Sequence, residues 1–113
     1  MKNLLDTHTL IWFLEDDPHL SSSAINAIEH ADAINYVSIG SIWEISIKVS
    51  IGKLDLHQPF EEIERLINVN GFIILPISFQ HLLQLQQLPF HHRDPFDRLL
   101  IAQCRAERMN VIK

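Results

Sequence analysis

A chain of 113 residues, 47% apolar and 20% charged, holds one domain's worth of sequence with the composition of an ordinary globular protein, which excludes a disordered tail or linker. Its single cysteine, Cys104, excludes an internally disulfide-stapled secreted scaffold, no apolar run approaches the ~18–20 residues of a transmembrane helix, and Asp6 comes too early for a signal peptide, so a soluble, cytoplasmic protein is expected. The net charge of −5, from fourteen acids against nine Lys and Arg, argues against a partner gripped mainly through a basic stripe, yet leaves room for an enzyme whose carboxylates collect a divalent cation.

Lys2 to Asp6 reads as a short buried strand ending in an acid. Thr7 to Leu14 follows as a helix, broken before Pro18. The hydroxyls of Ser21, Ser22 and Ser23 offer an N-cap to a helix carrying Ala24, Ile25, Ala27 and Ile28. Asn35 to Ser38 is a second strand. Ser38 to Val49 reads as a helix with Gly52 as its stop, although its β-branched content leaves a strand open. Pro59 to Asn68 is helical, with Glu61, Glu62 and Glu64 at its positive end. Phe72 to Pro76 forms a third strand. Ser78 to Leu88 is a helix whose Phe79, Leu82, Leu83 and Leu85 are spaced for a buried face. Pro95 to Met109 is the clearest helix, and a strand begins at Asn110. Strands alternating with helices predict an α/β fold with a mainly parallel central sheet. A globule of this mass should keep about 6,400 Å² of accessible surface.

Three places put a carboxylate at a strand end or in the early turns of a helix: Asp6, Glu44 and the pair Asp94/Asp97. Ligands of open parallel sheets bind beyond the carboxyl ends of the strands, so these acids could converge. Hard cations such as Mg²⁺ take oxygen ligands, carboxylates together with water and substrate phosphate, which suits phosphodiester chemistry. Each acid also has a plainer role. Asp6 could simply cap the helix at Thr7, and Glu44 could lie on a solvated face, although its neighbours Trp43 and Ile45 make that costly. Asp94-Pro95-Phe96-Asp97 scans as N-cap, N1, N2 and N3, so Asp94 caps while Asp97 can serve both dipole and metal. The other acids, Glu107 among them, read as solvated. No histidine or cysteine spacing suggests zinc. His91-His92-Arg93 would set donor groups beside the acids, or be a surface turn. Cys104 reads as packed.

Three segments together resemble the PIN domain, in its VapC-like toxin branch: Leu4-Leu5-Asp6-Thr7-His8, Val37 to Ile45 with its continuation Lys48 to Leu54, and His92-Arg93-Asp94-Pro95-Phe96-Asp97 through Gln103. They cover essentially the whole chain, residues 1–113 as a single PIN-like domain. The resemblance implies a three-layer sandwich and a metal-dependent endoribonuclease of a toxin–antitoxin system. Asp6, Glu44 and Asp97 match the family's first three acidic positions and would bind Mg²⁺ or Mn²⁺, with Asp94 as a further metal ligand. Arg93 or Arg98 would hold a neighbouring phosphate, although Arg98 could equally pair with an acid. The implied partners are an RNA substrate, a cognate antitoxin and a second copy of the chain. The family's next acid, in a Thr/Ser-x-Asp-like segment, is expected beyond Lys113, so a C-terminally shortened fold is anticipated. The competing expectation is a catalytically silent PIN-fold module acting through protein partners. Trp12 and Phe13 look exposed but could equally be core, and Trp43 is expected in the core.

Overall fold

Side-chain caps decide where the elements begin. In this computed structural model, which describes residues 1–90 and 94–113, Asp6 ends β1 (Lys2–Leu5) and caps α1 (Thr7–Leu14). Ser21 caps α2 (Ser22–Glu29), which leads into β2 (Ile34–Ser38). Ser38 then caps α3 (Ile39–Ser50), so the ambiguous segment is a helix throughout. The segment after Pro59 has no side-chain cap and starts as a 3₁₀ turn, Phe60–Glu62, before α4 (Ile63–Val69). Gly71, at φ +74°, supplies the left-handed turn into β3 (Ile73–Leu75). Ser78 caps α5 (Phe79–Gln87), and Asp94 caps α6 (Pro95–Glu107) with Pro95 in its first turn. β4 (Asn110–Ile112) closes the described chain.

The four strands make one parallel sheet in the order β3-β2-β1-β4. Alternation along β1 sends neighbouring side chains to opposite faces. Leu5 joins Val37, Leu10, Ile28, Ile45, Ile67 and Phe72 in the larger core. Leu4 packs on the other face with Leu75 and Leu100, beside half-buried Tyr36 and Cys104. Helices therefore cover both faces, as a buried parallel sheet requires. Burial pushes the Cys104 thiol up to about 11, so it is a packing group rather than a reactive one.

Two burial expectations, for Trp43 and for α5, are corrected, and the open one for Trp12 and Phe13 is decided. Trp43 is 58% exposed instead of core, on a row with Ile39, Ile47 and Ile51 that faces away from the sheet. Phe13 packs against Phe72 at 5.3 Å and both it and Trp12 are half-buried. On α5, Phe79 is 71% exposed and Leu82 and Leu83 face solvent, while the buried residue is His81. Its Nδ1 accepts from the Ser78 amide, so Nε2 donates to Glu107 at 2.8 Å on α6. The polar contact, not the apolar row, turns this helix toward α6. Glu107 is accordingly a structural partner and not a purely solvated acid.

Candidate active site

In the strand order, β1 has its chain-order successor β2 on one side and β4 on the other. A crevice is expected at such a reversal, beyond the carboxyl ends of the strands. The Asp6 amide donates to the Ile112 carbonyl at 3.0 Å and ties the ends of β1 and β4 together there. A cavity of about 300 Å³ opens at this point. β1 and the start of α1 bring Asp6, Thr7 and His8 to it; α3 brings Glu44 and Lys48; α6 brings Asp94 and Asp97. Four acids from three separate segments thus line one cavity.

Glu44 is buried, which removes the solvated-face alternative. Its Oε1 accepts from the Thr7 hydroxyl at 2.7 Å, and its Oε2 pairs with the Lys48 ammonium at 2.9 Å, one helical turn along. Those two partners offset the cost of holding a carboxylate away from water. Asp6 does cap α1: its Oδ1 accepts from Thr9 N at 2.8 Å. Asp94 likewise caps α6, its Oδ1 accepting from Phe96 N at 2.8 Å. Capping and lining the cavity coexist in both residues.

Asp97 opens onto the cavity, where the surrounding protein displaces water and pushes its pKa above the ordinary value. The charges of Asp94, Glu44 and Asp6 push in the same direction, and Lys113 only partly opposes them. The cavity therefore holds more negative charge than its own cations neutralise.

Arg93 lies outside the described residues. Arg98 is not among the residues lining the cavity. Its guanidinium donates to the carbonyls of Pro89 at 2.9 Å and Leu85 at 3.2 Å, at the end of α5, and lies over the Phe90 ring at 4.6 Å. It ties α6 to α5. Sequence reasoning passed over Thr7 and Lys48 as site residues. The available signals were a hydroxyl directly after Asp6 and a lysine at i+4 from a buried-looking glutamate.

Among the described residues, no three His, Cys, Asp or Glu side chains are close enough together to hold an ion as they stand. The cavity offers four carboxylates and an excess of negative charge, with His8 also at its wall, and this donor set fits a hard divalent cation. Mg²⁺ commonly uses one or two carboxylates and fills its other positions with water and phosphate.

The chain matches the PIN domain over residues 4–113. Its fold is similar to that of a chain in the crystal structure of VapBC2 from Rickettsia felis bound to a DNA fragment from their promoter. The TM-score is 0.70 at 14% identity, over 98% of this chain and 86% of that one. No curated protein sequence matches.

Proposed function

The chain belongs to the PIN domain family, and we propose that it is a metal-dependent endoribonuclease, the toxin of a toxin–antitoxin pair. The observation that carries this reading is the meeting of Asp6, Glu44, Asp94 and Asp97 in one cavity at the strand ends. Asp6, Glu44 and Asp97 would hold Mg²⁺ or Mn²⁺, with Asp94 beside them. When bound, the cation would supply Lewis acidity toward the phosphate and lower the pKa of an attacking water.

The protein's own contribution is positioning. The Thr7 hydroxyl, and the place of Glu44 in the middle of α3, fix the Glu44 carboxylate. The Asp94 cap fixes the first turn of α6, and with it Asp97. Lys48 pairs with Glu44 in the metal-free site, and with that carboxylate on a cation its ammonium would be available to a substrate phosphate. No nucleophilic Ser or Cys is required. The structural likeness to a VapBC2 chain supports an antitoxin as protein partner. The apolar surface of α5 around Phe79 and Leu82 supports a homodimer, which light scattering would detect as twice the 13.1 kDa chain mass.

The test is cleavage of a panel of RNAs with Mg²⁺, with Mn²⁺ and with EDTA. Cleavage that needs the metal and is lost in Asp6→Asn is the expected result. Metal-independent cleavage, or an Asp6→Asn variant at wild-type rate, would sink the mechanism. One observation favours a second reading, a silent PIN-fold module: both Glu44 oxygens are already engaged, by Thr7 and Lys48. Calorimetry separates the two, because a silent site gives no heat with Mn²⁺.

A further inference from the structure

Outside the acid cavity, α3 leaves an indole largely in water, an unfavourable place for so large an apolar surface. Trp43 is 58% exposed and meets Phe96 of α6 edge-to-face, ring centroids 5.2 Å apart and planes at 78°. An edge-to-face pair cannot cover the faces of both rings. Beside it a groove of about 430 Å³ runs between α3 and the first turn of α6, over Ile47, Pro95 and Phe96. Glu44, Lys48 and Asp94 line this groove and the acid cavity alike, so the two are continuous. On α3 the pair Glu44/Lys48 and the pair Trp43/Ile47 form adjacent rows, each at i, i+4 spacing.

We propose that the exposed Trp43 ring, at the edge of this groove where it meets Phe96, is a base-stacking subsite, which takes the unpaired base of the nucleotide next to the phosphate held in the acid cavity. The inference rests on the nuclease reading and goes beyond it by naming what holds the substrate strand. Single-stranded nucleic acid is bound by just this combination, a cation on the backbone with an aromatic face for the base, and stacking tolerates any sequence because every base has a π-face. Among the described residues, Lys48 is the cation that both the cavity and the groove share. The chain's excess of acids gives it few other handles on a polyanion, which makes an uncharged contact to the base the economical one.

The probes are a fluorescein-labelled ten-nucleotide RNA of mixed sequence and the same strand without its bases. Binding is followed by anisotropy with Ca²⁺ in place of Mg²⁺, strand integrity being checked on a gel. Trp43→Ala should weaken binding of the RNA about ten-fold and leave binding of the abasic strand unchanged, and Trp43→Phe should restore most of the loss. Phe96→Leu should act in the same direction. Trp43 is exposed, so melting temperatures of the variants should stay near the parent's. If the parent cleaves and binds RNA but Trp43→Ala binds it equally well, the subsite is overturned and the nuclease reading stands. If the parent binds no RNA in any metal, both fall. If Trp43→Ala changes only the association state seen by light scattering, the face is a protein contact and the proposal is wrong.

Discussion

Asp97 pays for its position in stability. Its carboxyl has a raised pKa, from lost hydration first and then from Asp94, Glu44 and Asp6. Between its ordinary value of 3.8 and the raised one, the folded state binds more protons than the unfolded state. Stability therefore falls as pH rises through that window, and the loss persists in full above it. Because Asp97 is exposed and solvent screens the repulsion, Asp97→Asn should raise the melting temperature of the metal-free protein only slightly at pH 7 and have no effect near pH 3. Mn²⁺ should stabilise the parent and not the variant. Equal melting of the two proteins in EDTA at pH 7 would show that the acids do not repel one another. Lys48 supports the opposite arm of the same balance. Lys48→Met strands the buried Glu44 charge and should cost about 1–2 kcal/mol in EDTA, less than a fully buried pair because Lys48 itself is half-exposed. Saturating Mn²⁺ should recover that loss, and Mn²⁺ should bind more tightly, once no ammonium competes for Glu44. The four acids were legible in the sequence because a carboxylate in an apolar run or at a strand end is a local anomaly. Thr7 and Lys48 were not, because an ordinary Thr or Lys becomes informative only when its partner across the fold is known.

At the scale of elements, the start of α3 and the start of α6 are held at a fixed separation by the absence of a side chain. A Cβ on Gly40 would lie 2.4 Å from Leu99 Cδ2 and 3.2 Å from Ser38 Oγ. Leu99 is buried and cannot swing into water to make room. Gly40→Ala gains up to about 1 kcal/mol of helix propensity and loses about 1–3 kcal/mol to overpacking, so a net loss of about 1 kcal/mol is expected. Its larger effect should fall on the site, because α6 must retreat and carries Asp94 and Asp97 with it. Denaturant unfolding and Mn²⁺ calorimetry check the two parts. Unchanged metal binding would mean that the cavity does not depend on this close approach. Most helix starts were readable, since Asp6, Ser21, Ser38, Ser78 and Asp94 each cap through a hydrogen bond two or three residues away, whereas α4, with no side-chain cap, starts at Ile63 and not at Pro59. The facing of α5 was not, because it depends on His81 reaching Glu107 twenty-six residues later. Periodicity in Phe79, Leu82 and Leu83 identified a helix correctly and gave the wrong side as buried.

Over the whole molecule, the accessible surface is 7114 Å², above the about 6,400 Å² expected for this mass. The excess accompanies large apolar side chains left outside on α3 and α5, Trp43 and Phe79 foremost. Those faces, and not a basic stripe, are what this surface offers to partners. A chain of net charge −5 repels a polyanion at long range, and the cavity that would receive the phosphate is itself lined by four carboxylates. A bound divalent cation reverses the sign where it matters. Divalent metal should therefore be required for RNA binding as well as for cleavage. Anisotropy of a labelled single strand should rise with protein concentration in Mn²⁺ and stay flat in EDTA. The affinity in Mn²⁺ should fall only gently with added monovalent salt, because few phosphates are neutralised by side chains. A steep salt dependence, or equal binding in EDTA, would mean that RNA is held on another surface and that the acid cavity is not where the strand enters.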